Sequence, residues 1–224
     1  MTVDQAKAYA FMIDDIEVKQ AHTNWKDLAV SSAAYTLKDD FDADILDQIE
    51  IGSTTTNFGS ITSAIDVGYD AGETSPVNVL NRLGRQLDEQ NVPEDNRWAV
   101  ANPLFWEIFA DENATLMSAN SAGDSVSALR NGMVTDRPVH GFRLYKSNNM
   151  PTSSTTRTSH TDWTDATNCV LVGHMSAVAT VSQIAKSEVL RSQDSFGDIV
   201  RGMHMYGRKV IRSAALGTCF YKTD

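Results

Sequence analysis

The sequence predicts an α+β protein on three observations. It has a long β-favouring run near its C terminus, a helical apolar rhythm of unusual length near its N terminus, and no catalytic motif. The β-run spans Ser195 to Tyr221, SFGDIVRGMHMYGRKVIRSAALGTCFY, and contains no proline. A strand is usually about five or six residues long, so much of this run must extend beyond one compact core. Its two sides are mixed. Ile199, Met203, Met205 and Ile211 alternate onto one side with Arg201 and Lys209, while Phe196, Val200, Tyr206 and Val210 share the other with Asp198, Arg208 and Arg212. A strand buried in its own domain shows a cleaner division. Two mixed faces suit a surface that meets further copies of the chain.

The remaining elements follow in chain order. Thr2 to Ile16 reads as extended, with Tyr9, Phe11 and Ile13 alternating against Ala8, Ala10 and Met12. From 17 to 51 the period becomes helical: Val18, Ala21, Trp25, Leu28, Ser32, Tyr35, Phe41, Ile45 and Ile49 recur at steps of roughly three and four residues. At about 1.5 Å per residue such a helix is about 50 Å long. Gly52 stands where a left-handed glycine would end it, and Asp39 offers a cap for a second helix beginning near Phe41. Ser53 to Thr74, rich in Ser, Thr and Gly, predicts an irregular connection with short strands.

Ser75-Pro76 supplies an N-cap and a first-turn proline for a helix through Leu80, Leu83 and Leu87. Pro93 to Asn96 is a turn. Arg97 to Ala101 is a strand, and Pro103 to Ala110 a short helix whose apolar residues nearly encircle it, which predicts burial. Gly141 to Ser147 alternates as a strand. The Thr/Ser-rich stretch up to Asn168 predicts an exposed loop pinned by Trp163, Cys169 to Gly173 a buried strand, and Ala177 to Leu190 a strand that forms a hairpin with the long run.

Bulk composition narrows the function. With 224 residues, 42% apolar and 21% charged, the chain has material for one large domain or two small ones. A net charge of −10 argues against a dedicated nucleic-acid binder. The acids Asp39, Asp40, Asp42, Asp44, Asp47 and Glu50 cluster early, and Arg201, Arg208, Lys209 and Arg212 late. Such patches pair within a subunit or between subunits, and sequence leaves the choice open. Cys169 and Cys219, each in an apolar run, read as buried hydrophobes of a reducing compartment. Acidic and basic residues interrupt the first fifteen positions, and no apolar run approaches the roughly 20 residues a membrane span requires. The expectation is a soluble protein made in a cytoplasm.

The search for chemistry returns little. Asp40, Asp42 and Asp44 suggest a calcium loop, but its sixth position would be Ile45 rather than Gly and its twelfth Ile51 rather than Glu; a solvated helix face is the expectation. The five histidines form no HExxH motif or close pair, and no CxxC accompanies them. No Gly-x-Ser-x-Gly elbow, Walker loop or GxGxxG is present. A hydrolase using Cys169 and His174 is the one enzymatic alternative, on a spacing with no known signature. Asn113-Ala-Thr115 is a glycosylation acceptor only in form, since no secretory signal accompanies it. No catalytic, cofactor-binding or metal-ligating residue is therefore assigned, and no cofactor is expected.

Five segments in order carry a resemblance: TVDQAKAYAFMIDDIE, VPEDNRWAVANPLFWEIF, RNGMVTDRPVHGFRLYKSNNMP, CVLVGHMSAVATVSQI and FGDIVRGMHMYGRKVIRSAALGTCFY. Together they resemble the major capsid proteins of tailed double-stranded DNA bacteriophages, which have the Hong Kong 97-type fold shared with encapsulin shells. The resemblance implies that residues 1–16 are the returning strand of the E-loop entering the P-domain, 17–51 the P-domain spine helix and 52–175 the axial A-domain. It makes 176–212 the P-domain β-ribbon and 213–224 the return to the A-domain. Such proteins carry an N-terminal arm and the outgoing half of the E-loop before this point, so a truncated, processed or partial subunit is expected.

The implied role is structural. Copies of the chain would assemble into the pentamers and hexamers of an icosahedral shell, formed in the host bacterial cytoplasm and located in the virion capsid. The shell would enclose double-stranded DNA without sequence-specific binding. Scaffolding and portal proteins, and a decoration protein in some members, are the implied partners; a membrane is not. An encapsulin-like, non-viral shell is the alternative.

Overall fold

The computed structural model describes residues 2–15, 25–53, 57–110, 139–153, 163–193 and 195–223. Asn113-Ala-Thr115, the first half of the third resembling segment, helix positions 17–24 and most of the Thr/Ser-rich loop lie outside the described residues. The chain divides into two units: Met1–Ile45 with Ala179–Lys209, and Leu46–Val178 with Val210–Asp224. Among the described residues, no helix is long and apolar enough to cross a membrane.

The first unit is a three-stranded sheet with a helix. Strand β1 (Gln5–Asp14) pairs antiparallel with β8 (Gly197–Val210), in register from Gln5 opposite Tyr206 to Asp14 opposite Gly197, and β7 (Val178–Arg191) flanks β8 on its other side. The N-terminal strand thus finds its partner almost 200 positions later. Helix α1 (Trp25–Gly52) runs unbroken through Asp39–Phe41, so no second helix begins there. Leu28 and Tyr35, two of the residues that recur at helical steps, are largely exposed. The apolar rhythm marked one side of the helix, but burial depends on what packs against it.

The second unit contains a six-stranded sheet in the order β2-β9-β6-β4-β5, formed by β2 (Asn57–Phe58), β4 (Arg97–Ala101), β5 (Phe142–Lys146), β6 (Asn168–His174) and β9 (Leu216–Lys222); β3 (Ile65–Asp66) also pairs with β9. The long C-terminal run is therefore two strands. A turn at Ser213–Ala215 separates β8 from β9, which belongs to this second sheet. Cys169–Val172 are fully buried, as an uninterrupted apolar run requires, and Leu216–Cys219 are buried beside them although Thr218 is polar. Helix α2 (Pro76–Glu89) is capped by the Ser75 hydroxyl, which accepts from the Asn78 N–H, and it buries Val79, Leu80, Leu83 and Leu87.

Helix α3 (Pro103–Phe109) is less buried than its composition predicts: Phe105 and Phe109 are enclosed, whereas Pro103 and Glu107 are exposed. Its cap is Asn102, which accepts from the Phe105 N–H at 3.0 Å and from the Tyr221 hydroxyl, and donates to Asn168 Oδ1 at 2.8 Å. This buried relay joins α3 to β9 and β6. Trp163 packs edge-on to Phe220 at 5.4 Å. Gly52 has no left-handed role. It remains helical, and a Cβ there would lie 2.5 Å from Val210 Cγ2, so its small size allows close packing.

Candidate assembly surface

Alternation in β8 sends Val200, Gly202, His204, Tyr206 and Arg208 to one face of the three-stranded sheet. Helix α1 covers that face. Phe41 lies edge-on to Tyr206 at 4.8 Å and 5.4 Å from the His204 ring. One helical turn on, Asp44 accepts from the Tyr206 hydroxyl at 2.8 Å and pairs with Arg208 at 2.7 Å. Phe41 and Asp44 share a helix face because they are three residues apart, and Tyr206 and Arg208 share a sheet face because they are two apart. The mixed character of this side of β8 is thus satisfied within the subunit. Asp44 is no solvated calcium-type carboxylate: it is 21% exposed and Arg208 only 13%. Burial, reinforced by the hydrogen bond to Asp44, holds the Tyr206 phenol above its ordinary pKa, so it remains a donor.

Among the described residues, the opposite sheet face is exposed. Ala6, Ala8, Ala10 and Met12 of β1 are exposed beside Arg201 and Met203 of β8. Arg201 pairs with Glu188 of β7, and Lys186 lies 3.3 Å from the same carboxylate. At the hairpin end, Arg191 pairs with Asp15 and reaches Asp198 at 3.3 Å. The early and late charge clusters meet in part within one chain, through Asp44 and Arg208.

Arg201 first, then Lys186, holds the Glu188 carboxyl below its usual range; in the second unit the Ala64 N–H and then Lys222 do the same for Asp165. A lowered folded pKa gives stability that is present above the unfolded value, near pH 4, and is lost as pH falls through the folded one. Glu188→Gln should therefore melt slightly below wild type at pH 6. The two curves should converge as the pH falls towards 2, as read by circular dichroism across that range.

Cys169 and His174 are not brought together. Five residues apart on β6, they point to opposite faces and are separated by about 17 Å of strand. The Cys169 thiol is buried, donates weakly to the Pro151 carbonyl at 3.4 Å and is pushed well above its ordinary pKa, chiefly by burial. Thiolate reactivity needs the reverse. His174 Nδ1 sits 2.8 Å from Ser176 Oγ and accepts from the Ser176 N–H, capping a turn. Among the described residues no group of three or more His, Cys, Asp or Glu side chains is placed to hold a metal.

The architecture is the Hong Kong 97-type capsid fold, and known structures bear out the resemblance to phage major capsid proteins. The chain is similar to a chain from the structure of Mycobacterium phage Che8 at 28% identity and a TM-score of 0.75, covering 97% of this chain and 71% of that one. In the capsid structure of cyanophage P-SCSP1u the identity is 19% and the TM-score 0.77, over 99% and 73%. The holo-SrpI encapsulin complex from Synechococcus elongatus contains a chain similar at 11% identity and a TM-score of 0.61, over 98% and 76%. No protein-family model and no curated protein matches the chain.

Proposed function

We propose that the chain is a major capsid protein that self-assembles into pentamers and hexamers of an icosahedral shell around double-stranded DNA. The observation that carries this reading is the capsid fold extending over nearly the whole chain, with the higher structural similarity on the phage side. In this reading the helix and ribbon serve as the P-domain that meets neighbouring copies, and the six-stranded sheet serves as the A-domain near the capsomer axis. The open face of the three-stranded sheet suits repeated contacts, each weak and multiplied by closed symmetry. No catalytic role is assigned, since the one candidate pair is separated and its thiol is held protonated. Scaffolding and portal proteins are the partners that assembly and packaging would engage.

Electron microscopy of the native particles is the test. Uniform shells hundreds of ångströms across with dense DNA inside are expected. Shells loaded with protein cargo would favour the encapsulin type, and only small particles of a few subunits would overturn the shell reading.

A further inference from the structure

Phe196 is 80% exposed, more than any other large apolar side chain among the described residues. It does not sit on a loose turn. Its carbonyl accepts from the Asp15 N–H at 3.1 Å, and the Ser192 N–H donates to the Gly197 carbonyl at 2.9 Å. The ring is thus displayed from a backbone whose Phe196 and Gly197 carbonyls are both held by hydrogen bonds, which lowers the conformational entropy to be lost on contact. Around it, Asp15 and Asp198 share the single guanidinium of Arg191, which gives this group of three a net negative charge.

A cleft of about 360 Å³ opens midway along the same unit, between α1 and the sheet. Its apolar lining includes Tyr9, Leu37, Phe41 and Met203. The His204 ring and Lys38 also line it, Lys186 and Arg201 share the single carboxylate of Glu188 at its β7 edge so that this group of three is net positive, and no carboxylate is part of the lining. Gly202 forms part of the floor, where a Cβ would lie 2.5 Å from the Tyr9 ring, so any larger residue would displace that wall. The cleft can hold an aromatic side chain, and its cations complement an acidic approach.

Ring and cleft cannot meet within one copy. Gly202 lies six positions beyond Phe196 along the chain, about 20 Å of extended strand. We propose that Phe196 of one copy inserts into the cleft between α1 and the ribbon of a neighbouring copy. The contact joins two different surfaces, so it propagates from copy to copy and closes where the rotation allows. The inference rests on the shell reading and adds to it a specific knob and socket.

The test is a disulfide trap in assembled particles of the full chain carrying Phe196→Cys and Ala34→Cys. Ala34 lines the cleft and is exposed, and both native thiols are buried. Mild oxidation should give covalent multimers on a non-reducing gel from the double variant and not from either single one. Shells that form without cross-links would overturn the contact and leave the shell reading intact, and equal cross-linking by Phe196→Cys alone would overturn it in favour of tip-to-tip packing. If the chain forms no shells, the shell reading falls, while a specific cross-link between dispersed copies would still support the contact. As a second measure, Phe196→Asp should lower shell yield by about tenfold or more, as loss of an aromatic anchor does, with Phe196→Leu largely retaining it. Unchanged yield from Phe196→Asp would overturn the proposal.

Discussion

Phe105→Ala is expected to destabilise the second unit by about 3–5 kcal/mol, the range for truncating an enclosed phenylalanine. The ring is 1% exposed and lies edge-on to Tyr221 at 5.7 Å and to Trp106 at 6.2 Å, with Phe109 at 6.3 Å. These neighbours are held on the short α3 and on β9, in the middle of hydrogen-bonded structure, so they cannot collapse into the space an alanine would leave. The cap is not disturbed, because Asn102 accepts from the Phe105 backbone N–H, which alanine also has. The loss is therefore a packing loss. Phe105→Leu should recover more than half of it. Urea unfolding followed by tryptophan fluorescence reads both, with Trp106 as an adjacent reporter. A loss under about 1 kcal/mol for the alanine variant would show that the site relaxes.

Asp44→Ala is expected to destabilise the first unit by about 2–3 kcal/mol, somewhat below the cost of breaking a fully buried ion pair. It removes the acceptor of the Tyr206 hydroxyl and the counter-charge of Arg208 together. Arg208, being 13% exposed, is left with a cation that water reaches poorly. Asp44→Asn keeps an acceptor for Tyr206 and should lose less. In a double-mutant cycle with Arg208→Ala, a coupling of about 1–2 kcal/mol is expected, since the two side chains touch. Additive losses would mean that the pair contributes little and that the aromatic packing of Phe41 on Tyr206 holds the helix to the ribbon. Thermal unfolding of the four proteins decides between these.

Much of the fold is legible in local chemistry. Ser75-Pro76 opens α2 because a hydroxyl cap and a proline without an N–H both suit a first helical turn. The alternation of Tyr9, Phe11 and Ile13 against three small or flexible residues identifies β1 and its inward face, and Tyr9 stacks on Phe11 at 5.9 Å as that alternation implies. Arg97–Ala101 and the hairpin of β7 with β8 likewise fall where turn residues and β-propensity place them. No such local signal reaches across the chain. The partnership of Gln5–Asp14 with β8, the break that sends Leu216–Lys222 into another sheet, and the exposure of Leu28 and Tyr35 are outcomes of which surfaces meet.

The assembly surface divides in the same way. By itself the sequence determined that β8 has two mixed faces, that acids gather early and bases late, and that Cys169 and His174 have no catalytic spacing. Only the tertiary structure decided that Asp44 rather than its acidic neighbours receives both Tyr206 and Arg208, that one mixed face is closed by α1 while the other stays open, and that Phe196 projects from a fixed turn. Periodicity gives the direction of a side chain relative to its own element. The pairing of charges, and the exposure that makes a surface available to another copy, depend on the distance between elements far apart in the chain.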